Sequence, residues 1–173
     1  DVARPTMMVF DLDPGAPADI VQCCQVGLWL REILEAMKLK SWAKTSGSKG
    51  LQVYVPLNTA VTYDQTKELS RALAEYLERE HSGLVLSKMA KALRKGKIFV
   101  DWSQNDEHKT TICVYSLRAK DEPTASTPVT WKEVETTIQK KDAQRLVFRC
   151  EEALKRVKQM GDLFAEVETL KQK

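Results

Sequence analysis

The sequence predicts an α+β fold in which one mixed, mainly antiparallel sheet is flanked by helices. Three observations carry that expectation. Apolar runs of strand length recur at Thr6–Phe10, Leu51–Val55 and Ile98–Val100. Two longer stretches between them repeat apolar residues at helical spacing, and the chain after Trp131 reads as helix alone.

In order, the run Thr6–Phe10 is closed by Asp11-Leu12-Asp13-Pro14-Gly15, where Pro14 has no N–H for a ladder and Gly15 permits a turn. From about Pro17 to Lys38, Leu30, Ile33, Leu34 and Met37 recur at i, i+3, i+4 and i+7, predicting an amphipathic helix. Trp42–Thr45 and Leu51–Val55 read as strands around Ser46-Gly47-Ser48-Lys49-Gly50, and Pro56 ends the second. A second helix begins near Asp64, with Leu69, Leu73, Tyr76 and Leu77 as its apolar stripe, and stops before His81-Ser82-Gly83. Lys97–Trp102 and Thr110–Leu117 are predicted as strands, and residues 121–130 as an extended loop rich in Pro, Ser and Thr. Helices follow Trp131, the clearest being Cys150–Met160, stopped by Gly161.

The 173 residues fit one module spanning 1–173, without internal repeat or interdomain linker. Hydrophobic residues make up 43% and charged ones 29%, an ordinary globular balance. No stretch approaches the ~18 consecutive apolar residues of a membrane span, and no signal segment opens the chain, so a cytoplasmic protein without a membrane partner is expected. Cys23, Cys24, Cys113 and Cys150 are not spaced as C-x-x-C, and only His81 and His108 accompany them, which argues against zinc. Any metal should be a hard cation on carboxylate oxygens. A net charge of +3 implies no polyanion by itself; local clustering must carry such a reading.

Asp11 and Asp13 are the first candidates. At i and i+2 on a strand they point to one face, roughly 6.6–6.8 Å apart. Such a pair is expensive unless a cation neutralises it, although an isolated D-x-D is often only a solvated turn. Asp101 ends another apolar strand, and a third carboxylate from a separate strand is what a two-metal site needs. Two Mg²⁺ or Mn²⁺ ions ~3.5–4 Å apart would activate an attacking hydroxyl and stabilise a leaving pyrophosphate. The Ser46–Gly50 loop, with Lys49, reads alone as a hairpin turn; beside a carboxylate metal site it reads as a phosphate cradle. Lys88, Lys91, Arg94, Lys95 and Lys97 form an acid-free run suited to polynucleotide phosphates. Arg118 and Lys120 follow a strand end, where an Arg fork could clamp a triphosphate. Trp29, Trp42, Trp102 and Trp131 read as packing residues, and His108 as solvent-exposed.

The motifs V-F-D-L-D-P-G (Val9–Gly15), K-T-S-G-S-K-G-L (Lys44–Leu51), I-F-V-D-W-S-Q-N (Ile98–Asn105) and K-T-T-I-C-V-Y-S-L-R (Lys109–Arg118) resemble the polymerase domain of bacterial ATP-dependent DNA ligase D. That domain belongs to the archaeo-eukaryotic primase superfamily. S-T-P-V-T-W (Ser126–Trp131) and G-D-L-F (Gly161–Phe164) extend the likeness over nearly the whole chain. The resemblance implies a primase-like catalytic core performing template-dependent nucleotidyl transfer in non-homologous end joining, with a preference for ribonucleotides. It implies that Asp11, Asp13 and Asp101 hold two Mn²⁺ or Mg²⁺ ions. Ser46, Arg118 and Lys120 would face the nucleoside triphosphate, and Lys91 and Arg94 would lie on a loop that contacts the DNA end. From the residues themselves, Lys49 and Gln52 join the nucleotide-binding candidates, and Lys88 and Lys95 the DNA-binding ones. An ATP-dependent ligase and Ku are the implied protein partners, in the bacterial cytoplasm.

The chain departs from the pattern in three places. Gln52 stands where the family has a His that contacts the triphosphate; a neutral bond in place of a charge-assisted one lowers nucleotide affinity by on the order of tenfold. Lys120 replaces an Arg, keeping charge but losing the fork. The family also carries a segment upstream of D-L-D-P-G, so a chain opening at Asp1 is expected to be part of a larger protein or a stand-alone catalytic half. These departures motivate a second reading, a catalytically weak DNA-end or nucleotide-binding module. A third reading is a haloacid-dehalogenase-like phosphatase, with Asp11 as nucleophile and Asp13 as acid/base.

Overall fold

A computed structural model of the chain describes residues 4–172. Its centre is a six-stranded sheet in the order β4-β5-β1-β3-β2-β8. These strands are β1 (Met7–Pro14), β2 (Trp42–Thr45), β3 (Leu51–Pro56), β4 (Val85–Leu86), β5 (Ile98–Asp101) and β8 (Pro128–Val129). All neighbours run antiparallel except β4 and β5, so the sheet is mixed, as the sequence predicts. A separate ribbon pairs β6 (Leu117–Arg118) with β7 (Thr124–Ala125).

The helices are α1 (Ile20–Ala36), α2 (Tyr63–Glu80), α3 (Trp131–Lys140), α4 (Cys150–Met160) and α5 (Ala165–Thr169). Three begin on reciprocal caps that satisfy otherwise orphaned backbone donors. Asp19 accepts from Val21 N while Gln22 accepts from Asp19 N; Thr62 with Gln65 and Thr130 with Glu133 repeat the device.

Alternation along the strands divides the sheet into two faces. Met8, Phe10 and Leu12 of β1, with Leu51, Val53 and Val55 of β3, are fully buried in the main core against α1, α2 and α3. On the opposite face, Val9 and Tyr54 pack with Phe164 and Val167 at one end, under α5. The other end of that face carries the polar residues of the candidate site. Cys23 and Cys24 are free thiols buried in α1, as expected. The four tryptophans are partly buried and pack against the two cores, and the His108 side chain is 85% exposed.

The first strand runs through Pro14, where the sequence expects it to end, and β5 is a second partner for Asp11–Pro14. Two expectations need correction. Residues 110–116 are not a strand. The backbone there folds back at Tyr115 (φ 65°), whose N–H bonds Ser126 O, and only Leu117–Arg118 pairs as a strand. Finally, residues 121–130 are not wholly a loop: β8 adds to the sheet edge beside β2, and Pro128, which has no N–H to donate, stands on that edge strand.

Glu133 ties α3 to α4 through a two-pronged contact with Arg156 (2.5 and 3.0 Å). Burial alone would raise its pKa, but the Arg156 fork and the Thr130 N–H hold it below the ordinary value. A carboxylate whose pKa is depressed by folding adds stability above its unfolded value, and that contribution disappears as pH falls through the folded one. Glu133→Gln is therefore expected to lower the unfolding midpoint at pH 7, with the gap to the unsubstituted protein closing below about pH 4. Denaturant titration across pH checks this.

Candidate active site

The strand register assembles the site. Asp11 lies directly opposite Asp101 on β5 and opposite Gln52 on β3, and Gln52 lies opposite Lys44 on β2. Directly opposed residues share a face with Cβ atoms ~4.5–5.5 Å apart. Asp101, Asp11, Gln52 and Lys44 therefore form a polar row across four strands, and Asp13 projects from the same face two residues along β1.

This row is electrostatically loaded. Burial, and then the charges of Asp13 and Asp101, push the Asp11 carboxyl up to about 7 against the opposing pull of Gln52 and Lys44. Asp13 is raised as well, by burial and Asp101, while Arg94 counteracts. Asp11 Oδ1 is buried and has no hydrogen-bond partner. An orphaned carboxylate oxygen among like charges is what a hard cation would satisfy, so this donor set fits Mg²⁺ or Mn²⁺. Lys44 is only 1% exposed. Burial lowers its pKa to about 8 although Asp11 works the other way.

Asp101 sits in the row but its carboxylate is occupied. It caps the 3₁₀ turn Trp102–Gln104, with Oδ1 accepting from Ser103 N (3.0 Å) and Oγ (2.6 Å) and Oδ2 from Gln104 Nε2 (3.0 Å). Among the described residues, no three His, Cys, Asp or Glu side chains are already gathered as a metal-holding group. Register brings the three carboxylates to one face; hydrogen bonding turns the third toward its own turn.

The Ser46–Gly50 loop stands over the end of β1. Gly50 is required by proximity, since a Cβ there would lie 2.4 Å from Leu12 O and 3.5 Å from Asp13 Oδ1. Ser46 Oγ accepts from Ser48 N and Gly50 N. Those two amides are thus satisfied inside the loop, and its outward donors are the Ser46 hydroxyl and Lys49. A cleft of about 390 Å³ opens here, lined by Asp11, Asp13, Ser46, Lys49, Gln52, Arg94 and Arg118, with Thr110–Ile112 among the rest of its wall. Lys120 is not part of it. It lines a second cavity of about 200 Å³ with Ile20, Leu146 and Phe148, which shares Pro14, Ser48, Lys49 and Gly50 with the cleft.

The basic run separates in space. Arg94 belongs to the carboxylate site: its guanidinium lies 4.0 Å from the Phe99 ring centroid, and Phe99 is the cross-strand partner of Asp13. Backbone contacts bring it there. Gly15 N donates to Lys97 O and Gly96 N to Gly15 O, and a Cβ on Gly15 would sit 1.8 Å from Arg94 O. Lys91 lies in a short exposed 3₁₀ turn and Lys95 is exposed beside it. Lys88 lines a separate groove with Arg71, Glu75 and Trp102.

Sequence reasoning overlooked Lys44, Tyr54, Gln104 and the strap Thr110–Ile112. Lys44 had a readable signal: in the alternation of β2 it shares the face of Trp42, one strand away from Gln52. Nothing in the local sequence indicates that residues 110–112 wall the cleft.

The sequence model of the family described as LigD, primase-polymerase domain, matches residues 1–164. The chain is 40% identical over 168 residues to the multifunctional non-homologous end joining protein LigD of Mycolicibacterium smegmatis, covering 97% of this chain and 21% of that protein. It is 31% identical over 159 residues to the bifunctional LigD of Bacillus subtilis, covering 91% of this chain and 25% of that protein. The chain thus spans between a fifth and a quarter of these relatives. The solved polymerase domain of Mycobacterium tuberculosis Ligase D in complex with DNA superposes with a TM-score of 0.87 at 39% identity, over 96% of this chain and 56% of that one. The chain belongs to the LigD primase-polymerase domain family.

Proposed function

We propose that this domain carries out template-dependent nucleotidyl transfer at DNA ends, filling ends or gaps during non-homologous end joining in the bacterial cytoplasm. The observation that carries this reading is the face shared by Asp11, Asp13 and Asp101, with Asp11 Oδ1 buried and unpartnered. The likeness to a polymerase domain solved with DNA supports the substrate class. Asp11, Asp13 and Asp101 would hold two Mn²⁺ or Mg²⁺ ions, Asp101 by releasing Ser103 or Gln104. The chemistry such ions supply is acidification of the attacking hydroxyl and neutralisation of the leaving pyrophosphate.

The protein's own contribution is positioning. The Ser46 hydroxyl, Lys49 and Arg118 offer donors to a triphosphate in the cleft, where charge-assisted bonds are strongest. Arg94, braced on Phe99, sets a cation beside Asp13. Lys91 and Lys95 reach solvent for DNA phosphates. Ribonucleotides as the preferred substrate, and an ATP-dependent ligase and Ku as partners, belong to the same proposal. The family assignment replaces the phosphatase reading.

One observation favours a second reading, a weak nucleotide or DNA-end binder. Gln52 Oε1 is committed to Lys44 Nζ (2.6 Å) and the Tyr54 hydroxyl (3.2 Å), so the side chain at the family's His position is turned inward. DNA binding without primer extension by the unsubstituted protein would select it.

Replacing Asp11, Asp13 or Asp101 with Asn should lower Mn²⁺-dependent extension of a primed template by about 10³-fold or more, ~4 kcal/mol of barrier. The Asp11→Asn protein, relieved of a buried charge, should melt no lower than the parent without metal. Extension at parental rates in these variants contradicts the proposal. Lys91→Ala and Lys95→Ala should each weaken DNA binding irrespective of sequence and reduce the slope of log affinity against log salt by about 1, measured by fluorescence anisotropy across salt.

A further inference from the structure

A fully buried lysine needs an explanation, because removing an ammonium from water is costly unless every proton is used. Lys44 meets that condition. Its Nζ donates to Gln52 Oε1 (2.6 Å), Ser126 Oγ (2.7 Å) and Ile112 O (2.9 Å), using all three protons. Each acceptor belongs to a different part of the site. Gln52 is the cross-strand neighbour of Asp11 and shares its face of the sheet. Ile112 lies in the strap walling the cleft. Ser126, which passes its own proton to Thr45 O at 2.8 Å, anchors the turn at Tyr115 through Tyr115 N–Ser126 O and Ser126 N–Ser116 O. Tyr54 closes the circuit, its hydroxyl reaching Gln52 Oε1 (3.2 Å) and Thr111 Oγ1 (3.1 Å).

We propose that Lys44 is a positioning residue that holds the Gln52 amide against Asp11 and fixes the Thr110–Ile112 strap, so that one buried cation sets both a metal-holding carboxylate and a wall of the nucleotide cleft. The inference rests on the nucleotidyl-transfer reading above and deepens it. With its oxygen held by Lys44 and Tyr54, the Gln52 amide can present only its NH₂ side to Asp11. Asp11 Oδ1, buried beside that amide without a partner, is open to a cation. The irregular backbone at 110–116 has a cause in the same contacts, since Ile112 O is drawn inward to Lys44 rather than to a neighbouring strand.

This role differs in sign from the alternatives. A charge effect alone predicts tighter cation binding when the neighbouring positive charge is removed, whereas a purely structural role predicts lower thermal stability and unchanged cation affinity. Positioning predicts weaker cation binding.

The test titrates Mn²⁺ into the protein by electron paramagnetic resonance at pH 7.5, using the unsubstituted chain, Lys44→Met, Gln52→Leu and the double variant, with nucleotide KM measured in parallel. Each single substitution is expected to raise the Mn²⁺ dissociation constant about five- to tenfold, and the double variant no further than the weaker-binding single, because both break one linkage. Lys44→Met should also raise nucleotide KM at least threefold, through the freed strap, and Gln52→Leu less. Unchanged or tighter Mn²⁺ binding in Lys44→Met, or multiplicative losses in the double variant, overturns the inference while leaving the parent reading intact. An unsubstituted protein that binds no Mn²⁺ overturns both. Should Lys44→Met fail to fold, Gln52→Leu decides alone: parental Mn²⁺ affinity there overturns the linkage.

Discussion

Everything at this site depends on one register. Because β1 runs antiparallel between β3 and β5, Asp11 is forced opposite Asp101 on one side and Gln52 on the other. Like charges directly opposed across strands are unfavourable, and burial makes them more so. The fold nevertheless holds this arrangement by surrounding it with a dry core on the reverse face and by placing Lys44 and Arg94 at its two flanks. Mutually repelling carboxylates kept together in this way are what a hard cation would neutralise.

The remaining features bring donors to that row. Gly50 lets the Ser46–Gly50 loop lie against the end of β1, and Gly15 lets the basic segment press its backbone onto the turn that follows. Both are demands of close approach, and a methyl group at either position would collide with a carbonyl oxygen. The same contact that anchors residues 94–97 aims Arg94 at Asp13 and leaves Lys91 and Lys95 outside. One segment thereby splits between two tasks, charge within the cleft and charge presented to solvent.

The sheet strands β1, β2, β3 and β5 and the long helices were legible because their apolar periodicity is strong, and the alternation of β1 correctly placed Asp11 and Asp13 on one face. The orientation of Asp101 was not, because it is decided by hydrogen bonds from Ser103 and Gln104 rather than by strand geometry. Thr110–Leu117 is rich in β-prone residues and misled for a related reason: its backbone is claimed by Lys44 and Ser126, contacts far away in sequence. β8 is two residues long and contains Pro128, so no local pattern announces it. Arg94 was read with its lysine neighbours because linear charge clustering cannot show that Gly15 draws it elsewhere. Local pattern thus located the acids, and long-range contacts determined what surrounds them.

The most direct test is anomalous diffraction from crystals of the domain grown with Mn²⁺ and a non-hydrolysable nucleoside triphosphate. Two anomalous peaks ~3.5–4 Å apart are expected, bounded by the carboxylates of Asp11, Asp13 and Asp101, with Asp101 turned away from its own turn to reach them. Peaks confined to other surfaces, or an Asp101 still capping Ser103 beside a bound triphosphate, would contradict it.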